Sequence, residues 1–137
     1  IDLMQMHEIN FDNDPEWVVE QGGLDELLRI QREGKVRFVG FTGHKSPHIH
    51  LRMMPVHAWA TVQMPINVCD HFYRSFSREV VPAAARIGAG VIGMKSLGGG
   101  SRAAGGGKIV KDDVATVDEC IRFALSQPIA SLVTGID

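Results

Sequence analysis

Short apolar runs of strand length alternate along this chain with longer stretches that carry apolar residues at helical spacing. Leu3, Met4 and Met6 form a first strand ending at His7, followed by a polar loop, Glu8 to Gly23, with Asp12, Asn13, Asp14 and Pro15 in it. Leu24, Leu27 and Leu28 then share one helical face. Asp25 and Glu26 lie in its first turn, Arg29 and Arg32 in its last, and Gly34 follows as a C-cap signal. Val36 to Phe41 is the second strand and runs into Thr42-Gly43-His44. Ser46-Pro47 is a helix-start signal, and that helix is expected to reach about Met54, before Pro55.

Ala58 to Ile66 is a third strand, with Val62, Met64 and Ile66 alternating against Thr61, Gln63 and Pro65. After a loop from Asn67, Ser77-Arg78-Glu79 leads a third helix that turns Val80, Val81, Ala84 and Ile87 inward and stops at Gly88. Pro82 conflicts with a regular helix there, so the helix starts late or kinks. The run from Gly90 to Met94 is a fourth strand delivered directly into a glycine-rich turn, Ser96 to Gly100. A fourth helix is expected from Asp112 or Asp113, carrying Val114, Val117, Ile121, Ala124 and Leu125 on one face, and a fifth strand from Ile129 to Gly135.

Five strands alternating with four helices predict an α/β fold with a parallel sheet. Two architectures fit that order. A free-standing doubly wound sheet of nucleotide- or flavin-binding type usually places its phosphate loop at the first strand-to-helix turn, which here is long and acidic. A (β/α)8 barrel needs about 250 residues and keeps its phosphate site after its last two strands. The position of the glycine turn after the fourth strand therefore favours a partial barrel. Unhindered backbone N–H groups in such a turn suit an anion, and a flexible linker is the plain alternative.

Composition narrows the partners. In 137 residues, 45% are apolar, enough for a core of one domain spanning residues 1–137. Fourteen basic and sixteen acidic side chains leave a net charge of -2 without a long run of either sign, so neither nucleic acid nor an anionic membrane surface is expected as a partner. Cys69 and Cys120 belong to no metal or redox spacing, which fits free thiols in a reducing, cytoplasmic setting. Ile1 already lies inside an apolar alternation and Asp137 directly follows another, so the chain is expected to be a piece of a longer one.

Chemistry in a parallel barrel gathers at the C-terminal ends of the strands. Those positions carry His7, Thr42-Gly43-His44, Gln63 with Asn67, Met94-Lys95-Ser96 and Gly135. His44, His48 and His50, with Cys69-Asp70-His71, supply potential metal ligands, but His48 and His50 are two apart on a predicted helix and point apart, so no metal site is expected.

Asp2-Leu-Met-Gln-Met-His7, Gly34-Lys-Val-Arg-Phe-Val-Gly-Phe-Thr-Gly43, Val62-Gln-Met-Pro-Ile-Asn67, Gly90-Val-Ile-Gly-Met-Lys-Ser-Leu-Gly98 and Phe123-Ala-Leu-Ser-Gln-Pro128 resemble, in order, the fourth to eighth strand units of the aldo/keto reductase family. The resemblance covers essentially the whole chain. It implies the C-terminal part of a TIM barrel that, complete, reduces a small carbonyl substrate to an alcohol with NADP(H). His7 matches the catalytic histidine that hydrogen-bonds the substrate oxygen. Thr42 and Gln63 match residues that grip the nicotinamide carboxamide, Met94 stands where many members stack a tyrosine, and Ser96, Leu97 and Gly98 match the pyrophosphate-side turn.

The departures matter as well. Gly43 stands where the family carries an asparagine, so one amide contact is lost or is replaced by backbone or by His44. Lys95 is a charge in a turn that is often neutral; it contacts the pyrophosphate or solvates the rim. The family's catalytic aspartate, tyrosine and lysine have no counterpart, and the one tyrosine, Tyr73, matches no proton donor. General acid catalysis contributes about 10²–10⁴-fold, so the chain by itself is expected to be inactive or nearly so. A half-barrel would also expose sheet edges and self-associate, which keeps a non-catalytic subunit or interaction module as the second reading.

Overall fold

The computed structural model describes residues 1–99 and 107–134. Its five strands are β1 (Leu3–Met6), β2 (Phe38–Thr42), β3 (Thr61–Pro65), β4 (Gly90–Met94) and β5 (Ser131–Val133), all parallel, in the spatial order β1-β2-β3-β4-β5. A doubly wound sheet reverses its strand order at a switch point; this one never does. Sequential order with right-handed crossovers stacks every helix on one face, which is how a barrel is wound. The sheet is open, with β1 and β5 at its edges.

The four connections between strands are helical, as expected, but they hold six α-helices among the described residues rather than four. The segment expected to be a polar loop after β1 contains α1 (Asp14–Glu20), with Pro15 in its first turn and the Asp14 carboxylate accepting from the N–H groups of Asn10 and Phe11 at 2.7 and 2.8 Å. Helix α2 (Gly23–Arg32) follows, closed by Gly34 in the left-handed region at φ 72°. Helix α3 (Pro47–Met53) starts where Ser46-Pro47 predicts and continues as a single 3₁₀ turn to Val56.

Pro82 has no N–H to donate to the preceding turn. The chain resolves this by running 76–80 as a π turn, capped by the Ser75 hydroxyl, and beginning α4 (Val81–Arg86) only then, so that Pro82 falls in a first turn. The helix expected from Asp112 begins later. A short α5 (Lys108–Lys111) ends at Asp112, and α6 (Val117–Ser126) is set by a capping box between Thr116 and Glu119. Val114 therefore precedes that helix and is exposed. The glycine at position 100, those at 105 and 106, and Gly135 lie outside the described residues.

Register sorts the strand residues onto two faces, because successive side chains alternate. Val39, Phe41, Val62, Met64 and Val91 lie on the helix-covered face and are buried. Phe41 is 0% exposed; its ring meets Trp59 edge-on at 5.2 Å and His50 at 5.3 Å. The Trp59 indole N–H donates to the Met53 carbonyl at 2.9 Å, tying the end of α3 to this cluster. The opposite face carries Gln5, Thr42, Thr61, Gln63, Ile92 and Met94. This face is more polar and more open.

His50 is 0% exposed within the core, its Nε2–H donating to the Gln63 carbonyl at 3.3 Å while Nδ1 has no partner. Burial lowers its pKa from an ordinary 6.5 to about 4. A depressed imidazole pKa means that between those values the unfolded chain binds a proton that the folded chain refuses. The stability is therefore present above pH 6.5 and is lost as pH falls toward 4, about 2 kcal/mol of it by pH 5. Chemical denaturation at pH 7 and pH 5 should show this loss in the native chain and a much flatter dependence in His50→Gln.

Candidate active site

The C-terminal end of β1 turns back over β2, and Thr42 holds it there. The Thr42 carbonyl accepts from the Ile9 N–H at 2.7 Å, and its hydroxyl oxygen accepts from the Glu8 N–H at 3.0 Å. Glu8 sits in the left-handed region at φ 59°, uncommon for a residue with a Cβ, and this hydrogen bond holds it there. The same hydroxyl lies 3.3 Å from His7 Nδ1. With the Glu8 N–H bound, the hydroxyl can give its proton to Nδ1, and in that arrangement the hydrogen of the neutral ring is on Nε2. That nitrogen faces outward on a side chain that is 82% exposed.

Thr42 is followed across the sheet by Gln63 and Met94 on the same face, and the Gln63 side-chain amide reaches the Met94 sulfur at 3.4 Å. His7, Thr42, Gln63 and Met94 thus form one row along the strand ends. Thr42 is mostly spent on holding His7 and Glu8; what remains is one acceptor lone pair. Gln5, one turn of the pleat below, donates to the Thr61 hydroxyl at 3.2 Å and belongs to the same inward face.

Gly43 has a packing reason. A Cβ there would run into the Ile9 carbonyl oxygen and come within 2.6 Å of the His50 ring, and its N–H donates to the Gln63 carbonyl at 3.2 Å. Neither a side chain nor that N–H is free to hold an amide. The neighbouring His44 takes its backbone N–H to the Asn10 side chain at 2.9 Å and its imidazole to 3.7 Å from Glu8. Partial burial, then the charges of Lys95 and His7, hold the His44 pKa below its ordinary value, with Glu8 opposing.

Beside this row opens a cleft of about 360 Å³, lined by His44, Asn67, Lys95, Gly98, Lys108 and Asp112 among others. Lys95 is in the left-handed region at φ 56°, and the Gly98 N–H closes the turn onto the Lys95 carbonyl at 2.9 Å. The turn is no loose linker. Gly107 and Ile109 donate back to the Gly98 and Leu97 carbonyls at 3.1 Å each, and a Cβ on Gly98, itself at φ 77°, would sit 2.8 Å from the Ile109 side chain. Ser96 is 0% exposed and its hydroxyl has no hydrogen-bond partner among the described residues. Lys108 was not among the residues the sequence suggested; it reaches the cleft because the chain returns to Leu97 and Gly98, which no local pattern announces.

A sequentially wound parallel sheet with polar side chains at the C-terminal rim of one face defines an α/β protein of barrel type. The family model described as the Aldo/keto reductase family matches residues 1–125, and the chain belongs to that family of oxidoreductases. No curated protein matches the chain. No helix among the described residues is long and apolar enough to cross a membrane.

The place of Gly43 yields a test. Gly43→Asn should cost about 2 kcal/mol or more because the Ile9 backbone cannot yield as a flexible side chain would. Thermal melting of that variant against the native chain measures it, and an unchanged midpoint would contradict the packing argument.

Proposed function

We propose that the chain supplies the cofactor-side wall of an NADP(H)-dependent carbonyl reductase and acts on a small carbonyl substrate only together with residues it does not contain. The row of His7, Thr42, Gln63 and Met94 beside a cleft with two lysines carries this reading. The residues fit a dinucleotide. Lys95, and Lys108 beside Asp112, offer positive charge to a pyrophosphate, the Gln63 amide suits a carboxamide, and the Met94 thioether offers a polarizable surface to a ring. Bound NADPH would supply the hydride. His7, its Nδ1 fixed by Thr42, presents Nε2–H to the carbonyl oxygen and stabilises the negative charge that develops there.

Nothing in the row delivers the proton that the carbonyl oxygen must gain once hydride has arrived. Tyr73 is exposed with its ring against Arg74 at 5.3 Å, and His44 is held toward its neutral form. The 137-residue chain is accordingly expected to bind NADPH without turning it over. A fluorescence titration should detect NADPH binding that weakens several-fold in Lys95→Glu, while NADPH oxidation with simple aldehydes stays at background. Turnover near the roughly 10 s⁻¹ of an ordinary enzyme would overturn the inactivity, and absence of binding would overturn the cofactor assignment.

Open edges favour a second property, self-association of the chain as one folding unit. Strands β1 and β5 each lack a neighbour on one side, and Met4 and Val133 are exposed on them. Size-exclusion chromatography with light scattering should report species larger than 15.0 kDa that grow with concentration. A monomer at all concentrations would rule this out.

A further inference from the structure

Ser46 occupies the N-cap of α3 but does not cap it. A serine there ordinarily accepts from the first free N–H groups of the helix, a bond worth about 1 kcal/mol. Its hydroxyl turns instead to His48 Nδ1, at 2.8 Å. His48 Nε2 lies 2.5 Å from Asp12 Oδ1, brought from the segment between β1 and α1. Only one proton arrangement satisfies both bonds with a neutral ring: Nε2–H donates to the carboxylate, and Nδ1 accepts from the serine. That is the arrangement of a hydroxyl with a base beside it and a carboxylate orienting the base. The Asp12 pKa is held below its ordinary value, first by the hydrogen bond with His48, with the charges of Arg52 and Lys45 adding to it. Arg52 fixes the Asp12 backbone through its carbonyl, at 2.5 Å.

All three residues line a second cleft of about 180 Å³, which shares no residue with the one beside Lys95. Phe11 and Ile49 contribute apolar wall, and Lys45 and Arg74 contribute charge. Lys45 Nζ is held 4.2 Å over the Phe11 ring, and Arg74 donates to the Lys45 carbonyl at 3.5 Å. An oxyanion formed beside Ser46 would have two cations near it and no competing carboxylate other than Asp12, already engaged by His48.

We propose that Ser46 is a nucleophile activated by His48 and Asp12, and that this cleft takes a short ester bearing a negative charge. The Ser46 oxygen attacks the acyl carbon while its proton passes to His48 Nδ1, and Asp12 stabilises the imidazolium. Collapse of the tetrahedral intermediate expels the alkoxide, which takes the proton back from His48. Water, with His48 again as base, then hydrolyses the acyl-serine, so that ester and water give acid and alcohol. The exposure of the triad places its base catalysis at the weak end of the usual range, about a hundredfold.

A fluorophosphonate tests this in the full chain, because attack by an activated serine expels fluoride and leaves a stable adduct. Peptide mapping should find the adduct on Ser46 in preference to Ser75, Ser77, Ser96, Ser126 and Ser131. Labelling of Ser46 should slow about tenfold or more in His48→Gln and less in Asp12→Asn. All three side chains are on the surface, and circular dichroism checks that both variants fold. Absence of an adduct on Ser46 in the native chain, or labelling at the native rate in folded His48→Gln, would overturn the proposal.

Discussion

Thr42 fastens the exit of β1 to the end of β2, and the candidate site depends on that fastening. One residue accepts two backbone N–H groups from the segment just past His7, through its carbonyl and its hydroxyl, and offers the hydroxyl proton to the histidine ring. Glu8 is thereby kept at positive φ, Ile9 is pressed over Gly43, and the His7 ring is tied to the end of β2 through Nδ1. A serine could supply the hydroxyl. Threonine's methyl also favours the strand conformation and limits the rotamer, which suits a side chain that must accept and donate at once.

The sheet divides its work between faces. The helix-covered face is sealed by Val39, Phe41, Val62, Met64 and Val91; Phe41 meets His50 and Trp59 of the second connection, and His50 in turn meets Phe76 of the third. The other face is left to Gln5, Thr42, Thr61, Gln63 and Met94; Gln5 bonds Thr61 and Gln63 bonds Met94 across strands, while Thr42 bonds His7. His50 joins the two faces from behind, since the carbonyl it bonds belongs to the residue whose amide lies in the site. Charge in the cleft is mixed: Lys95 and Lys108 line it together with Asp70 and Asp112, and Lys108 lies 4.0 Å from Asp112.

Much of this was legible in advance. Strand positions followed from apolar runs, and the parity of residues 61, 63 and 65 against 62, 64 and 66 set Gln63 opposite the apolar side of its strand. The order of the family's motifs agreed with the strand order. Helix ends were less legible where two signals competed: Asp112 and Asp113 look like a helix start, yet the Thr116 and Glu119 pair satisfies two end groups at once and wins. Helix α1 was hidden because its seven residues carry too few apolar positions for a periodic pattern, and it stands on Pro15 and on Asp14 bonding its own approach. The π turn was visible only as a conflict at Pro82.

By itself the sequence determined the alternation, the parallel sheet, the family and the residue types at the strand ends, because each depends on local periodicity or on motif order. Tertiary structure alone decided that Gly43 is an exclusion of a side chain, that Ser96 is buried without a partner among the described residues, and that Lys108 and Lys95 share a cleft. It also decided that Ser46, His48 and Asp12 form one hydrogen-bonded chain. These are distances between segments that loops bring together, and a loop's path is set by the packing at both of its ends rather than by its own residues.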